Sequence, residues 1–289
     1  GNYNSSFTIY DETDSRSLIK AIVKSLQLDE RTYKPALVHS IISKAKNNLQ
    51  DPAKFLSAHS GEFDKIQGLN YESLYNIYVE YVQSCRLANV MDFDDLLYYT
   101  YVLFANKENG VCREYASLFK YILVDEYQDT NRLQQKILSL LYEEMPKKRI
   151  CVVGDDAQSI YAFRGAEVNN ILNFCEEFID TKGQKAKLFK LEQNYRSTQT
   201  IVKAANSLIK NNRNQIKKDV YSENAVGEKL QYKPAYSDKE EAVIVAKDIK
   251  RIKRQDDCEY HDFAILYRTN AQSRSFEEEF RRQGIPYRI

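Results

Sequence analysis

Apolar residues recur at helical spacing through about the first 110 residues of the chain. One predicted helix carries them on a single stripe, with Asp14 or Ser15 as its N-cap. The positions of that stripe are Leu18, Ile19, Ile22, Val23 and Leu26. Asp51-Pro52 is typical of a helix start, because a capping acid precedes a proline in the first turn. We therefore predict a helical segment here.

A second helical pattern runs from Tyr71 to Leu87. Its apolar and aromatic positions include Leu74, Tyr75, Tyr78, Tyr81 and Val82. A stripe at this spacing is typical of helix packing, so we interpret the tyrosines as core residues rather than as a base-stacking surface. The helical prediction for the first part of the chain therefore includes residues Tyr71 to Leu87.

The pattern changes at Tyr121, where short apolar runs alternate with a helical stripe. The runs are Tyr121–Val124 and Ile150–Val153, and the stripe between them carries Leu133, Ile137, Leu140 and Leu141. A short apolar run bounded by polar residues is typical of a strand buried on both faces. A strand–helix–strand unit predicts two parallel strands joined by a right-handed crossover. Both strands would then end at the same edge of the sheet.

Beyond this unit, the polar segment Asp180–Gln184 indicates a link to another lobe. Lys187–Leu191 has partial strand character. We predict strands at Phe263–Tyr267 and Ile285–Ile289, and an amphipathic helix at Ser273–Gln283. Asn194–Thr198 offers a cap to a further helix, whose apolar positions are Ile201, Val202, Ala205 and Leu208. The chain as a whole is predicted to be an α/β protein.

Charge and composition narrow the class of protein. The formal net charge of the 289 residues is +1, so a nucleic-acid site must be a local patch. Basic residues do gather locally, either as such patches or as solvated helix faces: Lys203, Lys210, Arg213, Lys217 and Lys218, then Arg274, Arg281 and Arg282. No run approaches the ~20 apolar residues that span a bilayer, and no signal peptide opens the chain, so we expect a cytoplasmic protein without a membrane partner.

Cysteines and histidines show no metal-ligand spacing. The five cysteines are scattered without a Cys-x-x-Cys pair, and the three histidines are His39, His59 and His261. Neither a zinc site nor a disulfide framework is predicted, and reduced thiols fit the cytoplasm.

The candidate chemistry lies where the two predicted strands end. Asp125 and Glu126 directly follow the first strand, at the edge where open parallel sheets bind ligands. One carboxylate can hold a magnesium ion while its neighbour activates a water molecule. The segment after the second strand adds the amide of Gln158 and the cation of Arg164, and Asn194-Tyr-Arg196 adds a flat ring beside a second cation. Phosphoryl transfer needs this combination of metal-binding acid, water-orienting group and cations.

A second group of acids has a simpler interpretation. Asp92-Phe-Asp-Asp-Leu-Leu97 resembles a metal cluster, but Asp92 and Asp95 are also spaced as a capping box. Acids at that position complement the helix dipole. We favour the helix cap.

Three stretches of this sequence resemble motifs of the UvrD/Rep/PcrA-type superfamily 1 DNA helicases. Val124–Asn131 matches motif II of that family, Val153–Tyr161 with Arg164–Ala166 matches motif III, and Leu191–Thr198 matches motif IV. Further similar stretches are Ile265–Arg274 and Asp92–Leu96, so the resemblance covers nearly the whole chain.

The resemblance implies partial RecA-like P-loop NTPase motor cores with a parallel sheet, plus an all-helical inserted subdomain. Residues 1–90 would be the inserted subdomain, residues 91–182 the later half of the first core with motifs II and III, and residues 183–289 the early part of the second core with motif IV. The implied activity is that of an ATP-dependent 3′-to-5′ DNA helicase, which couples ATP hydrolysis to translocation on single-stranded DNA and to duplex unwinding. The implied cofactors are ATP and Mg²⁺.

The resemblance also implies roles for the residues of the nucleotide site. Asp125 would coordinate magnesium, and Glu126 would be the general base for water. Gln158 would sense the γ-phosphate. Tyr195 would stack on the adenine, and Arg196 would act as an arginine finger.

DNA-binding roles are implied for the segment that follows motif III. Tyr161 and Phe163 would lie against single-stranded bases, and Arg164 would link the nucleotide site to the DNA site. The family usually has tryptophan where this chain has Phe163, a departure expected to weaken stacking. The implied partners are single-stranded DNA and DNA duplex junctions, with accessory repair or replication proteins.

One family feature is missing from the sequence. Helicases of this kind open with a P-loop, yet no glycine of this chain is followed by lysine. Motifs V and VI are expected beyond Ile289. We therefore expect an internal fragment that is inactive alone, with Gly1 as a cloning remnant. Two alternatives stay open: a non-catalytic DNA- or protein-binding module of the same lineage, and a metal-dependent nuclease built on Asp92, Asp94, Asp125 and Asp129.

Overall fold

A computed structural model describes residues 3–58, 65–66 and 68–289, with the backbone alone at 65 and 66. Gly1 and His59 lie outside the described residues. The chain divides into two compact units, Gly1–Gln193 with Ala205–Val220, and Asn194–Ala204 with Tyr221–Ile289. Within the described residues, no helix is long and apolar enough to cross a membrane.

The first unit contains both helices and short strands. Its helices are α1 (Glu12–Ser25), α2 (Pro35–Asn47), α3 (Pro52–Ser57), α4 (Tyr71–Leu87), α5 (Phe93–Ala105), α6 (Val111–Leu118), α7 (Arg132–Glu144), α8 (Asn169–Leu172) and α9 (Phe174–Glu177). Its strands are β1 (Thr8–Tyr10), β2 (Lys65–Ile66), β3 (Leu69–Asn70), β4 (Val90–Asp92), β5 (Ile122–Val124) and β6 (Ile150–Val152). These strands form three pairs, of which β1–β4 and β5–β6 are parallel and β2–β3 is antiparallel.

The helical prediction for the first part of the chain is confirmed. Ile19, Ile22 and Val23 of α1 are buried together with Tyr78 and Tyr81 of α4, so the tyrosine stripe is core packing. The predicted cap of α1 is wrong. Asp11 is the N-cap, and its side chain accepts a hydrogen bond from the backbone of Asp14. Asp14 instead is the reciprocal partner at the third helical position of the capping box.

The parallel pairing of β5 with β6 is confirmed, with Val124 opposite Val152. The prediction that the first strand is buried on both faces is wrong, because Leu123 is 76% exposed. The described sheet has only these two strands, and a cluster around Tyr127 and Phe174 packs against Val124 and Val152. That cluster covers one face of the pair, and the side chain of Leu123 points to the other face.

The later strand predictions are wrong. Lys187–Leu191, Phe263–Tyr267 and Ile285–Ile289 contain no assigned strand. Burial still alternates along one of them, where Phe263 and Ile265 are half-buried and Leu266 is 94% exposed. A strand also needs a hydrogen-bonded neighbour, and no such neighbour pairs with these segments within the described residues.

The second unit has its own core, formed mainly by two helices. α10 (Gln199–Ile209) begins in this unit, and α11 (Asp238–Gln255) and α12 (Ser273–Gln283) belong to it entirely. Ala242, Ala246 and Ile249 of α11 pack with Phe276 and Phe280 of α12. The predicted bounds of α12 are confirmed.

Candidate functional site

The loops that follow β5 and β6 lie side by side in the first unit. The strands are parallel and in register, so both loops leave the same edge of the sheet. The Val153 backbone N–H donates to the Val124 carbonyl at 2.8 Å, and the Tyr127 N–H donates to the Val153 carbonyl at 3.0 Å. Hydrogen bonding therefore continues from the paired strands into the two loops.

Gly154 allows this close approach. A Cβ atom at this position would lie 2.5 Å from Gln128 Oε1 and 2.8 Å from Ile171 Cδ1. Both distances are too short for non-bonded heavy atoms, so a side chain here would force the Gln128 and Ile171 side chains to move.

Asp125 and Glu126 are both exposed at the end of β5. The Glu126 N–H donates to Asp125 Oδ1 at 2.9 Å, and Glu126 has a left-handed backbone with φ of +49°. Such a conformation costs a non-glycine residue about 1–2 kcal/mol, and strain of this kind clusters at functional sites. Within the described residues neither carboxylate forms an ion pair, so both can accept a cation.

Gln128 joins the two loops and is buried at 1% exposure. Its Nε2 donates to Glu126 Oε2 at 2.8 Å, and its Oε1 accepts the Asp155 N–H at 3.0 Å. Each end of one side-chain amide thus bonds to a different loop. The Oδ1 atom of the next residue, Asp129, is buried and has no hydrogen-bond partner in the described chain.

The loop after β6 is organised by a lysine from a distant part of the same unit. Lys218 Nζ lies 2.5 Å from Asp155 Oδ1 and 2.7 Å from Asp156 Oδ1. Gln158 is exposed and donates through Nε2 to Asp155 Oδ2 at 2.8 Å. The backbone N–H of Ile216 also donates to Asp156 Oδ2 at 3.0 Å.

These contacts keep both partners charged. Burial raises the pKa of Asp155, but hydrogen bonds from Lys218 and Gln158 outweigh burial and lower that pKa below its usual range. Burial lowers the pKa of Lys218, but the two carboxylates outweigh burial and raise it. The group is therefore a charged ion pair at neutral pH.

The segment Tyr161–Arg164 places two rings beside a cation. The Arg164 guanidinium carbon lies 5.2 Å from the centre of the Tyr161 ring and 5.5 Å from that of Phe163. The two ring centroids are 6.0 Å apart. Phe163 is 76% exposed and Tyr161 is 38% exposed, so the Phe163 ring does not fill the core.

Tyr195 and Arg196 belong to the second unit. The Asn194 side-chain oxygen accepts hydrogen bonds from the backbone N–H groups of Arg196, at 3.0 Å, and Ser197, at 2.8 Å. This turn precedes α10 and leaves the Tyr195 ring 78% exposed, with Arg196 exposed beside it. The structure thus brings Asp125, Glu126 and Gln158 into one unit and puts Tyr195 and Arg196 in the other.

The acids at Asp92 lie at the start of α5, and the helix-cap interpretation is confirmed. Asp92 is the N-cap of α5, with Asp95 as its capping-box partner. Both carboxylates also contact the buried ammonium of Lys46, and the Tyr81 hydroxyl donates to Asp92 Oδ2 at 2.8 Å. These contacts mean that Asp92 is already bound by protein groups. Among the described residues, no group of three metal-binding side chains is found.

Sequence reasoning missed three of these residues. It assigned no role to Gln128, although the residue lies inside a recognised motif. Lys46 and Lys218 lie far along the chain from the acids they contact, and no spacing rule links them. Lys218 appeared only as one member of a local basic group.

The comparisons with known proteins agree on one family. The family model described as the UvrD/REP helicase N-terminal domain matches residues 1–179, and the UvrD-like helicase C-terminal domain matches residues 189–289. The chain therefore belongs to the UvrD/REP helicase family.

Several relatives that are named as DNA helicases match almost the whole chain. A protein of Rickettsia felis named probable DNA helicase II homolog is 41% identical over 99% of this chain and 42% of its own length. The ATP-dependent DNA helicase PcrA of Leuconostoc citreum is 38% identical over 97% of this chain and 36% of its own length. The ATP-dependent DNA helicase UvrD1 of Mycobacterium bovis is 39% identical over 99% of this chain and 36% of its own length. The chain thus spans about two fifths of the length of these relatives.

Proposed function

We propose that this chain is part of an ATP-dependent DNA helicase that couples ATP hydrolysis to 3′-to-5′ translocation on single-stranded DNA and to duplex unwinding. The observation that carries the proposal is the Asp125–Glu126 pair, which lies at the end of a parallel strand and is joined through Gln128 to the neighbouring loop. Two of the relatives are named ATP-dependent DNA helicases, which supports the same activity here.

The residues at the end of β5 fit a magnesium ion. Magnesium binds hard oxygen ligands, commonly one or two carboxylates together with water and substrate phosphates. Asp125 is exposed, and it forms no ion pair within the described residues. It would hold the ion, which when bound supplies positive charge to the phosphate oxygens.

Glu126 is the proposed general base. Gln128 donates to its Oε2 atom, so the Oε1 atom can accept the proton of an attacking water molecule. This hydrogen bond is the contact that would orient the carboxylate.

Three further residues complete the proposed nucleotide site. Gln158 would detect the γ-phosphate through its exposed amide. Tyr195 offers an exposed ring for the adenine, and Arg196 offers a cation that would stabilise charge in the transition state.

Single-stranded DNA is the proposed ligand of the segment around Phe163. The rings of Tyr161 and Phe163 would stack on bases, and Arg164 would contact the phosphate backbone and link this segment to the nucleotide site. Duplex junctions and accessory repair or replication proteins are the further partners that we propose, and the cytoplasm is the proposed location.

We also propose partial RecA-like cores with an inserted helical subdomain. Residues 1–90 would form the subdomain, 91–182 part of the first core and 183–289 part of the second. The helical core around α1, α2 and α4 supports the first division, and the β5–β6 pair supports the second.

The test is Glu126→Gln in the full-length protein that carries this chain. General-base catalysis contributes about 10²–10⁴-fold, so DNA-stimulated ATP hydrolysis should fall by that factor while nucleotide affinity changes little. Glu228→Gln is the matched control, because Glu228 is exposed and lies in the second unit. Wild-type turnover in the Glu126 variant would contradict the proposal.

The isolated chain serves as a second comparison in the same assay. It contains no glycine followed by lysine, so we expect no DNA-stimulated hydrolysis from it alone. If the full-length protein binds single-stranded DNA but never hydrolyses ATP, a non-catalytic module becomes the better description. If the full-length protein cuts DNA with magnesium and without ATP, a metal-dependent nuclease becomes the better description.

A further inference from the structure

Three hydrogen bonds connect Lys218 to the carboxylate of Glu126 by way of the side chain and the backbone of Asp155. Lys218 Nζ contacts Asp155 Oδ1 at 2.5 Å. The Asp155 N–H donates to Gln128 Oε1 at 3.0 Å, and Gln128 Nε2 donates to Glu126 Oε2 at 2.8 Å. Each step is within ordinary hydrogen-bond distance.

We propose that Lys218 is a positioning residue for Glu126, acting through Asp155 and Gln128. The inference rests on the proposed function, in which Glu126 is the general base. Lys218 would not touch the nucleotide or the water molecule. It would hold in place the residues that orient the base.

The direction of the Gln128 amide supports this role. Its oxygen accepts the Asp155 N–H, so its nitrogen must face Glu126. Turning the amide over would set the oxygen against a carboxylate and leave a backbone N–H without an acceptor. Because Gln128 is buried, water cannot replace the lost bonds.

Lys218 fixes the other end of the series. Its side chain is 18% exposed and contacts both Asp155 and Asp156, whose side chain is 4% exposed. Without the lysine, two adjacent carboxylates would repel each other in a poorly solvated position. Relief of that repulsion would move Asp155, and with it the backbone N–H that orients Gln128.

The same aspartate also holds the proposed phosphate sensor. Asp155 Oδ2 accepts a hydrogen bond from Gln158, so one aspartate contacts the sensor and the lysine through its carboxylate and Gln128 through its backbone N–H. Lys218 lies on the segment Ala205–Val220, which is continuous in sequence at both ends with residues of the second unit. Displacement of this segment would therefore release Asp155 and alter both Gln158 and Glu126.

The test is ATP hydrolysis by the full-length protein with Lys218→Met, Lys218→Arg or Lys187→Met. Loss of a group that supports a metal ligand typically costs about 10–100-fold in activity. We expect a loss of the same order for a residue that supports the base, so Lys218→Met should lower kcat at least about tenfold. The KM for ATP should stay within about twofold, since no nucleotide contact is lost. Lys218→Arg should recover most of kcat, because it restores the cation. Lys187→Met is the matched control, since Lys187 is exposed, lies in the same unit and belongs to neither of the local basic groups.

A double-variant cycle separates positioning from a general loss of structure. In single-turnover hydrolysis, Lys218→Met should cost less in the Glu126→Gln variant than in the wild type, because the base that it positions has gone and only its effect through Gln158 remains. A melting curve accompanies each variant. If Lys218→Met does not fold, Asp155→Asn is measured instead, since it weakens the lysine contact and keeps the backbone N–H; the same loss of kcat is expected.

Two results would overturn the inference. One is an unchanged kcat in Lys218→Met, or in Asp155→Asn, while Glu126→Gln is inactive. The other is a loss that adds fully to that of Glu126→Gln, as a purely structural role would give. Retained turnover in Glu126→Gln is a distinct result, because it removes the proposed function itself.

Discussion

The Lys46 ammonium lies 2.6 Å from the Asp92 carboxylate, inside the core of the helical segment. It also lies 2.7 Å from Asp95. Lysine is almost never fully buried unless it is paired, and here one cation serves two acids. The contact joins α2 to the N-terminus of α5, so a side chain from another helix neutralises both acids of the capping box.

Lys46→Met should destabilise the chain strongly. Methionine keeps the length of the side chain but leaves two buried carboxylates without a cation, and breaking a buried pair costs about 3–5 kcal/mol. Urea unfolding measures the loss. Lys44→Met on the same helix is the control, because Lys44 is exposed and its replacement should change stability by less than about 0.5 kcal/mol. A loss below about 1 kcal/mol at Lys46 would refute the structural role.

Asp95 should make stability depend on pH. Burial raises its pKa to about 6, although Lys46 opposes the rise. The folded chain therefore keeps this proton up to about pH 6, whereas the unfolded chain loses it near its usual pKa of about 4. The stabilising contribution of Asp95 is thus present at low pH and is lost as pH rises from about 4 to about 6.

The comparison with Asp95→Asn tests this dependence, since asparagine cannot titrate. Between pH 7 and pH 4 the wild type should gain stability relative to the variant by about 3 kcal/mol, from a shift of about two pKa units. Urea unfolding at several pH values gives the difference. A constant difference over that range would show that the Asp95 pKa is not raised.

Phe163→Ala should weaken single-strand binding by the full-length protein. Stacking on one base is worth about 1–3 kcal/mol, or roughly a five- to hundredfold change in affinity. The ring is 76% exposed, so thermal stability should change little. Phe189→Ala is the matched control, because that ring is 79% exposed and lies outside the segment. An unchanged affinity for single-stranded DNA in Phe163→Ala would contradict the proposed DNA-binding role of Phe163.

Local patterns predicted those parts of the fold that depend on local physics. The bounds of α12 follow from its apolar stripe, and the cap at Asp92 follows from acids three residues apart. The parallel pairing of β5 with β6 follows from the helix between them. In each case the signal lies within one helix, one turn or one strand–helix–strand unit.

Pairing over long distances could not be predicted in this way. β1 and β4 are only three residues each, too short to show a period, and they pair across most of the helical segment. Phe263–Tyr267 has the alternation of a strand, but alternation does not reveal whether a partner strand is present. The contacts of Lys218 and Gln128 likewise depend on tertiary structure, although both residue types are visible in the sequence.

Gly154 supplies the last prediction, because the closeness of the two loops depends on its lack of a side chain. Gly154→Ala would place Cβ against Gln128 Oε1 and Ile171 Cδ1, and the Gln128 amide is held at both ends. Overpacking of this kind costs about 1–3 kcal/mol.

The loss should appear both in stability and in turnover. Urea unfolding should show the destabilisation, and ATP hydrolysis by the full-length protein should fall because displacement of Gln128 disturbs Glu126. Gly183→Ala is a control for stability alone, since Gly183 has φ of +76° and its Cβ would meet nothing within 4 Å. It should cost stability through backbone strain without lowering kcat. Equal kcat in the wild type and Gly154→Ala would show that the approach of the two loops does not position the base.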